Sequence, residues 1–186
     1  MSGNEAVKAV IEALESHRIP YMVVGSYASN VYGIERSTQD ADVVVELGDA
    51  SISEILRGLA PTIRLDPQMC FEGATTTRRF VADVVGIPFK IEFFLLGEDH
   101  YDRERFGRRR EADVLGRRVF IPAVEDVIIT KLRWALHLAR SKDRDDARDV
   151  IAVQGDRIDW DYVHRWCEEH GTRALLDEIR ASIPPI

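Results

Sequence analysis

Apolar residues at a helical interval open the chain. Val7, Val10, Ile11 and Leu14 predict an amphipathic helix over residues 4–17, stopped before Pro20. An unbroken apolar tetrad, Tyr21–Val24, predicts a short buried strand that ends at Gly25-Ser26. A short helix is expected from Tyr27 to Tyr32, closed by Gly33. Ala41–Leu47 (ADVVVEL) is rich in β-branched residues and reads as a strand. Ser51–Leu59 predicts a helix that Pro61 stops, and residues 62–78 are Thr-rich without a decisive period. Arg79–Val85 and Pro88–Leu96 read as two strands joined at Gly86. Residues 98–111 are densely charged, and Arg117–Ile121 is a last short strand. Beyond Pro122 the pattern turns helical throughout, over 123–140, 143–153, 159–169 and 171–181.

This order predicts an α+β fold: a small mixed β-sheet with flanking helices over residues 1–121, then a C-terminal helical bundle, 122–186, packed on it. A chain of 186 residues, 45% hydrophobic, suits one such unit with a substantial core. No apolar run approaches the roughly 20 residues that span a bilayer. The first seventeen residues are acidic and lack the apolar stretch of a secretory signal, so the expected location is cytoplasmic, with no membrane partner. The net charge of −7 argues against coating nucleic acid by bulk electrostatics, and leaves a local basic groove open. Cys70 and Cys167 lie far apart without a metal-type spacing and read as free thiols.

The chemistry is expected where the first two strands end. At Gly25 a ligand can approach the backbone closely, because glycine carries no Cβ. Ser26 opens a helix whose N-terminal amides and hydroxyl suit a phosphate. Asp40 and Asp42, two residues apart on a strand, point to one face while Ala41, Val43 and Val45 point to the other. Two adjacent carboxylates repel unless a cation lies between them, and hard divalent ions take oxygen ligands. A third carboxylate is expected from a neighbouring strand. Glu92 is the one acid in the apolar run Ile91–Leu95, where an unpaired charge is costly, and Asp83 is the rival.

Lys131 falls inside the apolar stripe Val124, Val127, Ile128, Leu132, Ala135 and Leu138, so it either snorkels out or meets an anion such as a triphosphate. Asp146, in line with Val150 and Val153, either holds Lys131 or Lys142 or favours the start of its helix. Arg36 is a phosphate contact or an exposed loop arginine. The run Arg103–Arg110 guides an acceptor such as RNA or is a solvated charge run, the commoner case. Trp134, Trp160 and Trp166 read as packing residues, and the histidines show no ligand spacing. A Walker-type Gly-rich phosphate loop, a Ser/His/Asp signal and a zinc pattern are all missing.

The Gly25-Ser26 pair, the Asp40-Ala41-Asp42 step and the later acid together resemble the DNA polymerase beta-type nucleotidyltransferase superfamily. Its signature is Gly-Ser or Gly-Gly opening a helix, Asp-x-Asp on a strand, and a third acid on a later strand, there more often Asp than the Glu found here. More narrowly, GSYASNVYGIERSTQDADVVVEL is similar to minimal bacterial nucleotidyltransferases related to the AbiEii abortive-infection toxins. EDVIITKLRWAL and KDRDDARDV are similar to the helical half of that group, and the resemblance runs from about residue 20 to about 170. It implies that Asp40, Asp42 and Glu92 hold two Mg²⁺ ions; Gly25, Ser26, Arg36, Lys131 and Asp146 are the candidate contacts for the nucleoside triphosphate. Transfer of a nucleoside monophosphate to an RNA 3′ end, a protein hydroxyl or a small molecule follows, with a toxin–antitoxin partner implied by the narrower likeness. A non-catalytic relative that binds nucleotide, or acts as an antitoxin or interaction module, is the alternative.

Overall fold

The computed structural model describes residues 1–72 and 77–184. Helix α1 spans Gly3–Ser16. Its start is fixed by a capping box: the Ser2 hydroxyl accepts the Glu5 amide at 3.2 Å, and the Glu5 carboxylate accepts the Ser2 amide at 2.7 Å. Strand β1 (Tyr21–Val24) is buried along its length and runs straight into α2 (Gly25–Tyr32). After β2 (Asp40–Val45) come the short α3 (Ile52–Ile55), β3 (Ile63–Leu65), β4 (Cys70–Glu72), β5 (Thr77–Val84) and β6 (Lys90–Leu95).

These six strands form one mixed sheet in the order β1-β2-β6-β5-β3, with β4 also paired to β5. Strand β2 is antiparallel to β1 and parallel to β6; the other pairs are antiparallel. One face of β2 and β6 carries Ala41, Val43, Val45, Ile91 and Phe93 into the main core beneath α1. The opposite face carries Val44 and Phe94, which with Met22, Val24 and Phe106 form a smaller apolar cluster against Trp134. The acids of β2 stand on this second face, because they alternate with the core residues.

Helix α4 (His100–Gly107) and the hairpin β7 (Arg110–Val114) and β8 (Arg117–Ile121) come next. Four helices complete the chain: α5 (Val124–Leu138), α6 (Ser141–Gln154), α7 (Trp160–Glu169) and α8 (Arg173–Ala181). The result is the mixed α+β fold with a C-terminal helical part that the hydrophobic pattern predicts. One apolar core runs through sheet and helices alike, from Val43 and Phe93 to Ile128, Leu132, Val150 and Trp166. Among the described residues no helix is long and apolar enough to cross a membrane. Both cysteines are free.

The charged stretch 98–111 departs from expectation, since it folds into α4 and the start of β7. Asp99 caps α4 by accepting the Asp102 amide at 3.1 Å, while Tyr101 and Phe106 are buried. The charges find partners both within the stretch and in other parts of the fold. Arg103 pairs with Glu46 (2.6 Å) and Glu98 (2.7 Å), Arg105 with Asp102 (3.0 Å), and Arg108 with Glu125 (3.0 Å) and Asp126 (3.2 Å). The ambiguous stretch 62–78 supplies β3, β4 and the start of β5, with residues 73–76 outside the described range.

Candidate active site

Register brings the acids together. Asp42 lies directly across from Glu92 on the parallel neighbour β6, and directly across from Val24 on β1. Asp40 is two residues upstream on the same face, so Asp40, Asp42 and Glu92 share one patch of sheet beside the point where β1 becomes α2. Asp83 lies across from Lys90, is exposed, and does not line the cavity above this patch. That cavity encloses about 200 Å³ and is lined by Ser26, the three acids, Arg79, Lys131, Trp134, Arg140, Lys142 and Asp143. The sheet supplies its floor, and α5, α6 and their connection supply its roof.

Gly25 is required at the join. Its φ of +63° lies in the left-handed region that side chains disfavour. A Cβ on it would lie 2.0 Å from Asp42 Oδ2, so the first turn of α2 is pressed against that carboxylate. Burial pushes the Asp42 carboxyl up to about 7, helped by the charges of Asp40 and then Glu92, with Lys131 and Lys142 acting in the opposite direction. As the site stands, negative charge is thus disfavoured at Asp42. Its two neighbours have partners: Thr38 Oγ1 donates to Asp40 Oδ1 at 2.6 Å, and Arg79 Nη1 to Glu92 Oε2 at 2.6 Å. Among the described residues no three Asp, Glu, His or Cys groups close on one point tightly enough to cage an ion as they stand.

A second set of charges ties the helices to this patch. Lys131 is buried, not snorkelling, and its Nζ meets Asp143 at 2.8 Å and Asp146 at 2.7 Å. The two acids lie three residues apart on α6 and so present to one side of it. Arg36 grips Asp146 with two bonds, 2.7 and 2.8 Å, and donates to Ser26 Oγ at 2.9 Å. Burial opposes the charge on Asp146, but the bonds from Arg36 and the charge of Lys131 win and hold the carboxyl below the usual range. Ser26, Arg36, Asp146, Lys131 and Asp143 therefore form one chain of ion pairs and hydrogen bonds from the first turn of α2 to α5 and α6.

Asp143, Arg79, Arg140 and the cavity-facing position of Trp134 escape a sequence reading. Asp143 and Lys142 sit in a run of alternating charges, Lys142–Asp146, where one buried acid looks like any other. Arg140 lies over the Trp134 indole at 5.3 Å and follows Ala139, which ends α5 in the left-handed conformation (φ 50°). That turn aims Arg140 and Lys142 at the cavity.

No family model matches the sequence, and no curated protein does. Solved structures do match. The crystal structure of ANT(2″)-Ia in complex with adenylyl-2″-tobramycin aligns with a TM-score of 0.64, over 92% of this chain and 98% of that one, at 16% identity. The chain has the nucleotidyltransferase fold. Lincomycin-bound LnuA, a lincosamide antibiotic adenylyltransferase, aligns with a TM-score of 0.52, covering 80% of this chain and 96% of that one at 8% identity. An antigenic nucleotidyltransferase-like protein from Paracoccidioides brasiliensis aligns at 0.53, over 98% and 94%, at 13% identity. On this nucleotidyltransferase scaffold the acids of β2 and β6 and the first turn of α2 lie side by side beneath the cavity.

Proposed function

We propose that this protein is a Mg²⁺-dependent nucleotidyltransferase that moves a nucleoside monophosphate from a nucleoside triphosphate to a hydroxyl of a small molecule. The observation that carries this reading is the register of Asp40, Asp42 and Glu92, three carboxylates on one face beside the start of α2. The residues fit magnesium: the donors are all oxygen, and burial beside Asp40 and Glu92 disfavours the charged form of Asp42, which a divalent cation would stabilise. Bound there, two ions would neutralise the triphosphate and lower the pKa of the acceptor hydroxyl.

The chain's own groups would do the rest by position and charge. The α2 amides and Ser26 Oγ suit a phosphate, and Lys142 and Arg140 add positive charge on the opposite wall. Arg36 and Lys131, already paired with Asp146, hold Ser26 and α6 in place for this. The acceptor oxygen bonds to the α-phosphorus, the bond to the pyrophosphate oxygen breaks, and the hydroxyl proton departs, so the products are the nucleotidylated acceptor, pyrophosphate and a proton.

Two observations support a small acceptor over RNA. The basic run at 103–110 is largely spent on internal ion pairs. Two proteins of this fold are solved with an adenylylated aminoglycoside or a lincosamide bound. The likeness to abortive-infection toxins, and with it a toxin–antitoxin partner, rests on the sequence segments alone.

Incubation with α-labelled ATP, GTP, CTP and UTP in Mg²⁺ tests this, with aminoglycosides, lincosamides, total RNA and total protein as acceptors. Label should appear on a small molecule and vanish in Asp42→Asn. Undiminished transfer by Asp42→Asn would remove the metal role given to the acids.

A further inference from the structure

Asp143 carries a feature that the ion-pair chain does not use. Its side chain is 1% exposed. Oδ1 accepts Lys131 Nζ at 2.8 Å, while Oδ2 is buried and has no hydrogen-bond partner among the described residues. The residue lines the same cavity as Asp40, Asp42 and Glu92. A buried carboxylate oxygen that meets no donor is costly, so a group that arrives in the cavity is expected to satisfy it.

The surroundings narrow what that group is. A phosphate oxygen would be repelled by the carboxylate. The three acids of the floor already form the cluster suited to cations. What remains is a neutral donor, and the groups beside Asp143 are those a nucleotide needs: Lys142 and Arg140 carry positive charge for phosphates, and the Trp134 indole offers a flat apolar surface. The indole Nε1 is likewise buried without a partner among the described residues. A nucleotide whose phosphates lie between these cations and α2 brings its ribose hydroxyls to the same wall.

We infer that Asp143 Oδ2 accepts a hydrogen bond from a ribose hydroxyl of the bound nucleoside triphosphate, making the cavity selective for ribonucleotides over deoxyribonucleotides. This deepens the nucleotidyltransferase reading and rests on it. Lys131 becomes the group that holds the carboxylate at the right angle, and Arg36 and Asp146 hold Lys131.

Equilibrium titration in Mg²⁺ without acceptor tests it. The four ribonucleotides identify the base that binds best. That ribonucleotide is then compared with its 2′-deoxy and 3′-deoxy forms. A bond from a hydroxyl to a carboxylate makes one deoxy form bind about ten- to a hundredfold more weakly, and which form suffers identifies the hydroxyl. Asp143→Ala should bring all three within about twofold, since Lys131 keeps Asp146 and the fold is preserved. Asp143→Asn should fall between, since its amide oxygen accepts a hydroxyl bond without the carboxylate's charge.

A purely structural role for Asp143 predicts that Asp143→Ala weakens all three nucleotides equally and keeps their ratio. That outcome, or wild-type protein that binds all three alike, overturns the inference and leaves the proposed function standing. No binding of any ribonucleotide in Mg²⁺ overturns both.

Discussion

Replacing Gly25 with alanine separates backbone strain from damage to the site. Two costs follow from the geometry. The backbone at residue 25 has φ +63°, where a side chain costs about 1–2 kcal/mol. For a chain of this size that is a loss of roughly 2–8 °C in Tm. The second cost is steric. The new Cβ would sit 2.0 Å from Asp42 Oδ2, whereas side-chain carbons essentially never approach a heavy atom closer than 3.0 Å. Strand β2 is held between β1 and β6, so the carboxylate, not the backbone, gives way, by about 1 Å or more. A displacement of that size at a reacting centre costs on the order of a hundredfold in rate. Gly48 supplies the control: its φ is +55°, and nothing lies within 4 Å of a Cβ there. Gly48→Ala should therefore lose comparable stability and keep its activity. Thermal unfolding, Mg²⁺ titration and pyrophosphate release from the preferred triphosphate read the two variants side by side. If Gly25→Ala binds Mg²⁺ and turns over as Gly48→Ala does, the close packing of α2 on Asp42 has no functional meaning.

Three further outcomes are expected. Asp42, pushed up to about 7, keeps its proton in the folded state over a range where the unfolded chain, with a carboxyl near 4, has lost it. Metal-free stability should therefore fall as pH rises from about 4 to about 7, and Asp42→Asn should flatten that fall; urea unfolding at several pH values checks it, and parallel curves for the two proteins contradict it. Lys131→Met leaves Asp143 and Asp146 buried side by side, Asp146 with only Arg36, and should cost about 3–5 kcal/mol, read as a reduced denaturant midpoint. Ala139→Gly relieves a left-handed alanine at the end of α5 and should stabilise by about 1 kcal/mol, a Tm gain of roughly 2–4 °C.

Much of this architecture was legible in the chain. The alternation around Asp40-Ala41-Asp42 put both acids on one face, because a strand has a period of two and Ala41, Val43 and Val45 had to be buried. Glu92 stood out because its neighbours Ile91, Phe93 and Phe94 are apolar, and the parallel register with β2 then sets it beside Asp42. Lys131 was legible as a charge in an apolar stripe. Its partners were less so, since Asp143 and Asp146 are separated from it by the turn at Ala139, and five of the six residues from Lys142 to Ala147 are charged. Helix α4 was hidden for the same reason. The arginines of 103–108 look solvated until tertiary structure brings Glu46, Glu125 and Asp126 to them. Pairing at long sequence distance leaves no period to read. The partner of Arg36 shows this most plainly, for 110 residues separate it from Asp146.

Counting bound divalent ions tests the central claim most directly. Mn²⁺ standing in for Mg²⁺ can be counted by paramagnetic resonance, with and without the preferred triphosphate. Two ions per chain are expected in wild-type protein with nucleotide, and at most one, weakly held, in Asp42→Asn. Wild-type protein that holds no Mn²⁺ with nucleotide present, or Asp42→Asn that holds two as tightly as wild type, would contradict the account.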